Sequence, residues 1–249
     1  MPLSGTLDIA PLAADLPRVT RYATEAWSSE GVEMLHLTFE INDARVLDVL
    51  PKALHPTIPP IAFFSVATYP DSPFGPFMLA QVRIGCRASA LPRGFLLRAY
   101  SDSPAACEAL AAGWGFDCHQ ADMRVRRFHD RIEASVTRDG AEILRASLID
   151  PEPISGADVQ YVASMNLALS PEADRAKPVL VQVDPAYTFH RAERGRPQVT
   201  TFDRAAWRAD GIDPSWPVAA TFTQCESGMP AVRYVIDPAQ PAIVGTRRL

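Results

Sequence analysis

Lysine is almost missing from this chain. Of the 24 basic residues, only Lys52 and Lys177 are lysines; the rest are arginines. Arginine keeps its proton and cannot serve as an amine nucleophile, whereas a desolvated lysine can. Imine chemistry is therefore confined to two side chains. Lys52 follows Pro51 at the end of a short helical stretch, and Lys177 lies in the polar segment SPEADRAKP. Neither setting strips a charge of its solvent.

Other absences narrow the class. No run of about 18 apolar residues is present, so no membrane helix is expected. The opening MPLSGTLDIAPLAADLPRV lacks the basic and apolar regions of a secretion signal, and a cytoplasmic location is expected. Four scattered cysteines, Cys86, Cys107, Cys118 and Cys225, form no CxxC pair and read as reduced thiols. A net charge of −5 excludes a strongly basic nucleic-acid-binding face. P-loop, GxSxG and HExxH patterns are missing, and GWGF at 113–116 lacks the third glycine and the βαβ setting of a dinucleotide fingerprint. Neither a cofactor nor a metal is expected.

What remains is strand-like. LHLTFEI at 35–41 alternates, with Leu35, Leu37, Phe39 and Ile41 on one face. IAFFSVATY at 61–69, FMLAQVRIGC at 77–86 and GFLLRAYS at 94–101 are apolar runs bounded by turn residues. Asp139-Gly140 supplies the positive φ of a tight hairpin. Further strands are expected at 160–169, 179–183, 198–202, 218–225 and 231–236. One helix is well punctuated: Ser103 as N-cap, Pro104 at N1, and Gly113 as the left-handed stop. Shorter helices are expected at 43–50, with Asn42 as cap, and at 203–209, with Asp203 as cap. With 23 prolines and no regular βαβ alternation, a doubly wound parallel sheet is excluded. The expected architecture is a single mainly β (α+β) domain over 1–249.

The segment from Tyr100 to His119, YSDSPAACEALAAGWGFDCH, resembles the central motif of the acetoacetate decarboxylase-like family. There a strand ending in Tyr-x-Asp leads through a short helix to Gly-[Phe/Tyr]-Pro-Lys-Lys. In ungapped register, Gly115-Phe116 falls on the Gly-aromatic pair, Asp117 on the proline, and Cys118 and His119 on the two lysines. NDARVLDVLPKAL, YPDSPFGPFMLAQV, SWPVAATF and AVRYVID resemble flanking segments. The resemblance implies a β-barrel or cone with a few short peripheral helices, an enclosed apolar pocket and a homo-oligomer. It also implies a small-molecule partner, a keto acid or related carbonyl compound. The family's first lysine forms a Schiff base, with its pKa depressed by its neighbour, as the acetoacetate decarboxylase example of an activated lysine illustrates. A thiol at 118 cannot form one. The family's glutamate falls near Leu79 and its early arginine near Val32, with Gln81 and Glu33 close by.

Two readings of the pair stay open. Cys118 is a nucleophile or acid/base group assisted by His119, or it is a small wall of an inherited pocket with His119 as its neighbour. Strand neighbours point to opposite faces, which disfavours a dyad. Asp117 either orients an imidazole or caps a turn. Phe64, Phe77, Leu79, Gln81, Trp114, Phe116 and Asp117 are the expected pocket residues. His129 lies in an Arg-rich alternating stretch, His190 at a loop or strand end, and His36 and His55 have no visible partners. The functions these features fit are an imine-free lyase, hydratase, cyclase or isomerase and, alternatively, a non-catalytic small-molecule-binding protein.

Overall fold

The alternation at 35–41 belongs to a much longer element. In the computed structural model, which describes residues 3–42, 45–88, 91–172 and 176–249, this strand is β1, Trp27–Ile41. It is followed by β2 (His55–Pro56), β3 (Ile61–Tyr69), β4 (Phe77–Arg87), β5 (Pro92–Ser101), α1 (Pro104–Trp114) and β6 (Cys118–Gln120). Then come β7 (Asp122–Arg127), β8 (Arg131–Arg138), β9 (Ala141–Ile154), β10 (Ser164–Leu169) and β11 (Pro178–Val183). The chain closes with β12 (Ala186–Phe202), β13 (Pro214–Met229), β14 (Tyr234–Ile236), α2 (Ala242–Gly245) and β15 (Thr246–Arg248).

All the strands join one sheet, in the order β15-β14-β11-β10-β5-β4-β3-β1-β13-β12-β9-β8-β7, with β2 on β4 and β6 on β5. The path has two ends, so the expected closed barrel is not formed among the described residues. Mainly β character holds. The sheet instead curls so that both faces of β1, β3, β4 and β5 are covered. One face packs Leu35, Leu37, Phe64, Val82 and Tyr100 against Val136, Leu144 and Leu148 of β8 and β9, and against Trp207. The other packs Met34, Ala67, Leu79 and Ala99 under Leu110 and Trp114 of α1 and beside Val181 and Val183 of β11. Each large aliphatic side chain so buried contributes about 1.5–3 kcal/mol.

Local signals account for several boundaries. Ser103 accepts a hydrogen bond from the Ala106 N–H and Pro104 opens α1, as its sequence implies. The stop is Gly115, at φ 69°, rather than Gly113. Gly115 also has no room for a side chain: a Cβ there would lie 2.8 Å from that of Ala168. Asp139 and Gly140, at φ 52° and 79°, form the β8–β9 turn. Neither of the two short helices appears as such. Residues 43 and 44 lie outside the described residues, and 45–50 form one short 3₁₀-and-turn stretch ahead of Pro51. At 203–209, Asp203 does cap the Ala206 N–H at 3.1 Å, but the chain makes a single turn and then leaves. No helix among the described residues is long and apolar enough to cross a membrane.

Candidate ligand-binding site

Directly paired residues of neighbouring strands present their side chains to the same face, about 5 Å apart. Starting from β13, the register runs Thr221 to His36, His36 to Ser65, Ser65 to Gln81, Gln81 to Ala99, and Ala99 to Cys118. One transverse row thus connects Cys118 with four polar side chains that no local pattern links. In the neighbouring row Thr38 pairs Phe63, and Phe63 pairs Arg83.

These polar groups are deeply buried. His36 is 4% exposed, Ser65 3%, Gln81 6% and Arg83 0%. The Arg83 Nη1 donates to the Tyr161 hydroxyl at 2.9 Å and to the Val162 carbonyl at 2.8 Å. Its guanidinium lies 4.7 Å from the Tyr161 ring centre. Nothing hydrogen-bonds its Nε or Nη2, and the His36 Nδ1, the Ser65 Oγ, the Gln81 Oε1 and the Thr221 Oγ1 are likewise unpartnered among the described residues. Arg83 has no carboxylate partner there either, although the other buried arginine among the described residues, Arg93, pairs with Asp184. A close approach by the next strand holds Arg83 down: a Cβ on Gly94 would come within 2.9 Å of the Arg83 Cβ.

His36 stacks on Phe63 at 5.7 Å and lies 5.6 Å from the Tyr161 ring. Burial, and after it the charge of Arg83, pulls its pKa down to about 3, so the imidazole is neutral at neutral pH. Burial likewise pushes the hydroxyls of Tyr187 and Tyr69 up. The cluster therefore carries one buried positive charge, a neutral imidazole and several hydroxyls. A cavity of about 640 Å³ opens beside it, sharing His36, Phe63, Val162 and Thr221 and adding Thr38 and Arg194. That volume suits a small molecule.

The other side of β6 is built differently. Asp117 accepts from the Arg98 Nε at 3.2 Å and the His119 Nε2 at 2.8 Å, and forms an ion pair with the Arg208 Nη1 at 3.3 Å. Burial works against its carboxylate, but the His119 hydrogen bond and the two arginine charges outweigh it and hold the group below its usual value. Arg98 and the Tyr100 hydroxyl both donate to the Ala206 carbonyl, at 3.1 and 2.6 Å. The network ties the 203–209 turn to the sheet. Asp117 and Arg208 also border a second cavity, about 440 Å³, walled by Leu12, Leu16 and Phe95.

The expected site residues are therefore divided. Cys118 shares the row with Gln81, while His119 pairs with Asp117 on the opposite face; the two form no dyad. Leu79 lies one position pair along from Gln81. Phe77 stacks on Tyr69 at 4.7 Å, Phe116 is buried beneath α1, and the Trp114 Nε1 donates to the Pro230 carbonyl at 2.7 Å. Phe64 packs against Phe39 and Phe202, on the face away from the row. Asp117 does line a cavity, but the second one, away from the row. His129 is exposed just past β7, and His190 sits exposed at a bulge inside β12. His55 has a partner, its Nδ1 lying 2.7 Å from the Leu3 carbonyl oxygen. Lys52 and Lys177 are both exposed. Sequence reasoning missed Arg83 and His36. The available signal was a pair of polar residues, Gln81 and Arg83, spaced by two within an otherwise apolar strand.

The family model for acetoacetate decarboxylase (ADC) matches residues 15–217, and the chain belongs to that family. Among solved structures, the acetoacetate decarboxylase from Legionella pneumophila is similar at a TM-score of 0.73 and 15% identity, with 93% of this chain and 97% of that one covered. An acetoacetate decarboxylase-like enzyme from Sphingomonas wittichii RW1 aligns at 0.66 and 15% identity, covering 93% and 98%. The enduracididine biosynthesis enzyme MppR complexed with pyruvate aligns at 0.65 and 14%, covering 84% and 88%. At these identities the likeness is one of fold. No curated protein sequence matches the chain.

Proposed function

We propose that this protein is an acetoacetate decarboxylase-like enzyme that works without an imine on a small keto acid or its enol. The observation that carries this reading is Arg83: fully buried, with two donor groups unpartnered and no carboxylate beside it. An uncompensated buried charge is costly, and an anionic ligand relieves that cost. A guanidinium fork with two N–H groups free suits a carboxylate. In the ungapped register the family's imine position falls on a thiol, Cys118, and the two lysines are exposed. A fold-relative with pyruvate bound agrees with a small carbonyl acid as ligand.

The chemistry follows from the residues around Arg83. With the carboxylate on the guanidinium, the Ser65 and Thr221 hydroxyls donate to the carbonyl oxygen, where negative charge develops on enolisation. The His36 imidazole takes the proton from the carbon next to the carbonyl, the C–H electron pair forms the C=C bond, and the carbonyl π pair moves onto oxygen as an enolate that the imidazolium can reprotonate. His36 is a weak base while Arg83 stands uncompensated. A bound carboxylate cancels the Arg83 charge, one of the two causes of the depressed pKa, and moves His36 toward the range where it exchanges protons. Ligand binding thereby activates the base. The products are those of a lyase, hydratase, cyclase or isomerase, according to what leaves or adds at the enol.

Calorimetric titration with pyruvate and acetoacetate, with and without borohydride, tests the reading. Binding by the native chain, loss of binding in Arg83→Met and no borohydride-trapped adduct are expected. A trapped mass on Lys52 or Lys177, or undiminished binding by Arg83→Met, contradicts it. Deuterium exchange at the ligand's α-carbon separates catalysis from binding alone: exchange lost in His36→Gln marks an enzyme, and binding without exchange marks a non-catalytic binder.

A further inference from the structure

We propose that Cys107 and Cys118 are a modification site, oxidised by peroxide to a reversible disulfide that ties α1 to β6 at the end of the ligand row. The two sulfurs lie 3.3 Å apart, with the Cys118 S–H donating to Cys107. A disulfide needs about 2.05 Å, which is within reach of small side-chain rotations at both residues. Cys107 is in the first turn of α1, at the positive end of the helix, which favours a thiolate. It is only half-buried, so a small oxidant reaches it. The remaining thiols serve as internal controls. Cys86 and Cys225 are fully buried, and burial pushes them up to about 12 and about 11, which leaves them inert.

The hydrogen bond also assigns the roles. Accepting the Cys118 S–H holds the Cys107 thiol below its ordinary value, while the same bond and burial hold Cys118 well above it. The Cys107 thiolate attacks one oxygen of hydrogen peroxide; the O–O bond breaks, hydroxide leaves, and Cys107 becomes a sulfenic acid. The Cys118 sulfur then attacks the Cys107 sulfur, and the sulfenic oxygen departs as water with the Cys118 proton. Overall, two thiols and one peroxide give one disulfide and two waters. A dithiol reductant reverses the change. This inference does not depend on the ligand assigned to Arg83.

The test exposes the full chain to excess hydrogen peroxide, unfolds it in N-ethylmaleimide and maps the peptides by mass. Two of the four cysteines, Cys107 and Cys118, should become unblockable and appear as one cross-linked peptide that dithiothreitol releases. In Cys118→Ser, dimedone should trap a sulfenic acid on Cys107; in Cys107→Ser, Cys118 should stay unmodified under the same exposure. Four blockable thiols after peroxide, or a sulfinic acid on Cys107 with Cys118 still free, overturns the proposal. The mapping of the unaltered chain decides the matter even where a variant fails to fold.

Discussion

The two sides of β6 hold the same kinds of side chain to opposite ends. On one side Asp117 has three partners, two of them arginines, and every charge in the network is answered. On the other side Arg83 is more deeply buried than any of these and keeps two donors without a partner, next to a neutral imidazole and bare hydroxyls. A satisfied buried network fixes structure; an unsatisfied one costs stability and is tolerated where a ligand completes it. The carboxylate that titration chemistry would single out is thus already fully partnered. The arginine and histidine that look like core residues form the candidate site.

Four substitutions or conditions sharpen that contrast. The largest effect belongs to Arg83→Met. It should weaken binding of a small carboxylate on the order of 100-fold, yet leave thermal stability unchanged or higher by about 1–2 kcal/mol, because an unpaired buried charge has been removed. Urea titration beside calorimetry measures both; lower stability together with intact binding would reverse the roles of the two sides.

Acid comes next. His36 is neutral in the fold, with its pKa lowered from 6.5 to about 3, so between those values the unfolded chain binds the extra proton. Its contribution is complete above pH 6.5 and is lost progressively as pH falls toward about 3, amounting to several kcal/mol. In His36→Gln this window should flatten, as denaturant midpoints between pH 7 and pH 4 would record. Asp117 has the usual carboxylate sign: its stabilisation is present above its ordinary value of 3.8 and is lost only as pH falls below that. The two sides therefore fail at different acidities.

Asp117→Asn should cost about 2–4 kcal/mol by leaving Arg98 without a carboxylate and Arg208 with only the distant Asp15, with carboxylate affinity changed less than about twofold. Differential scanning calorimetry and the same ligand titration check this; a large loss of affinity would make Asp117 part of the site. The smallest effect is expected for His119→Gln. Its side chain is 37% exposed, so the pair with Asp117 is worth less than about 1 kcal/mol. A loss of turnover without loss of stability would restore His119 as a catalytic group.

What could be read from the sequence was what is encoded locally. Ser103 and Pro104 mark the start of α1 within a few residues, and Asp139-Gly140 encodes its own turn. The edges of β3 and β4 follow from flanking Pro and Gly. The longest strands were underestimated, since β12 and β13 carry Pro, Gly and charged residues where they bend or run exposed. The alternation in β1 was visible, but one polar-looking face there is buried too, because a sheet covered on both sides hides His36 as thoroughly as Leu35. The site itself is a product of register. Thr221, His36, Ser65, Gln81 and Cys118 come from five strands, and Tyr161 reaches Arg83 across 78 positions. No window of sequence contains that row.

Gly115 has a consequence for how this scaffold can be altered. Because its left-handed turn is clamped against Ala168, the count of residues from there to β6 acts as an address. Odd and even steps deliver their side chains to different faces: Cys118 to the polar row, Asp117 and His119 to the charged network. Removing a single residue from this connection would exchange the deliveries, placing an imidazole where the thiol now stands and pulling the carboxylate away from its arginines. The chemistry available at the end of the row is set as much by the length of a two-residue link as by which residues occupy it.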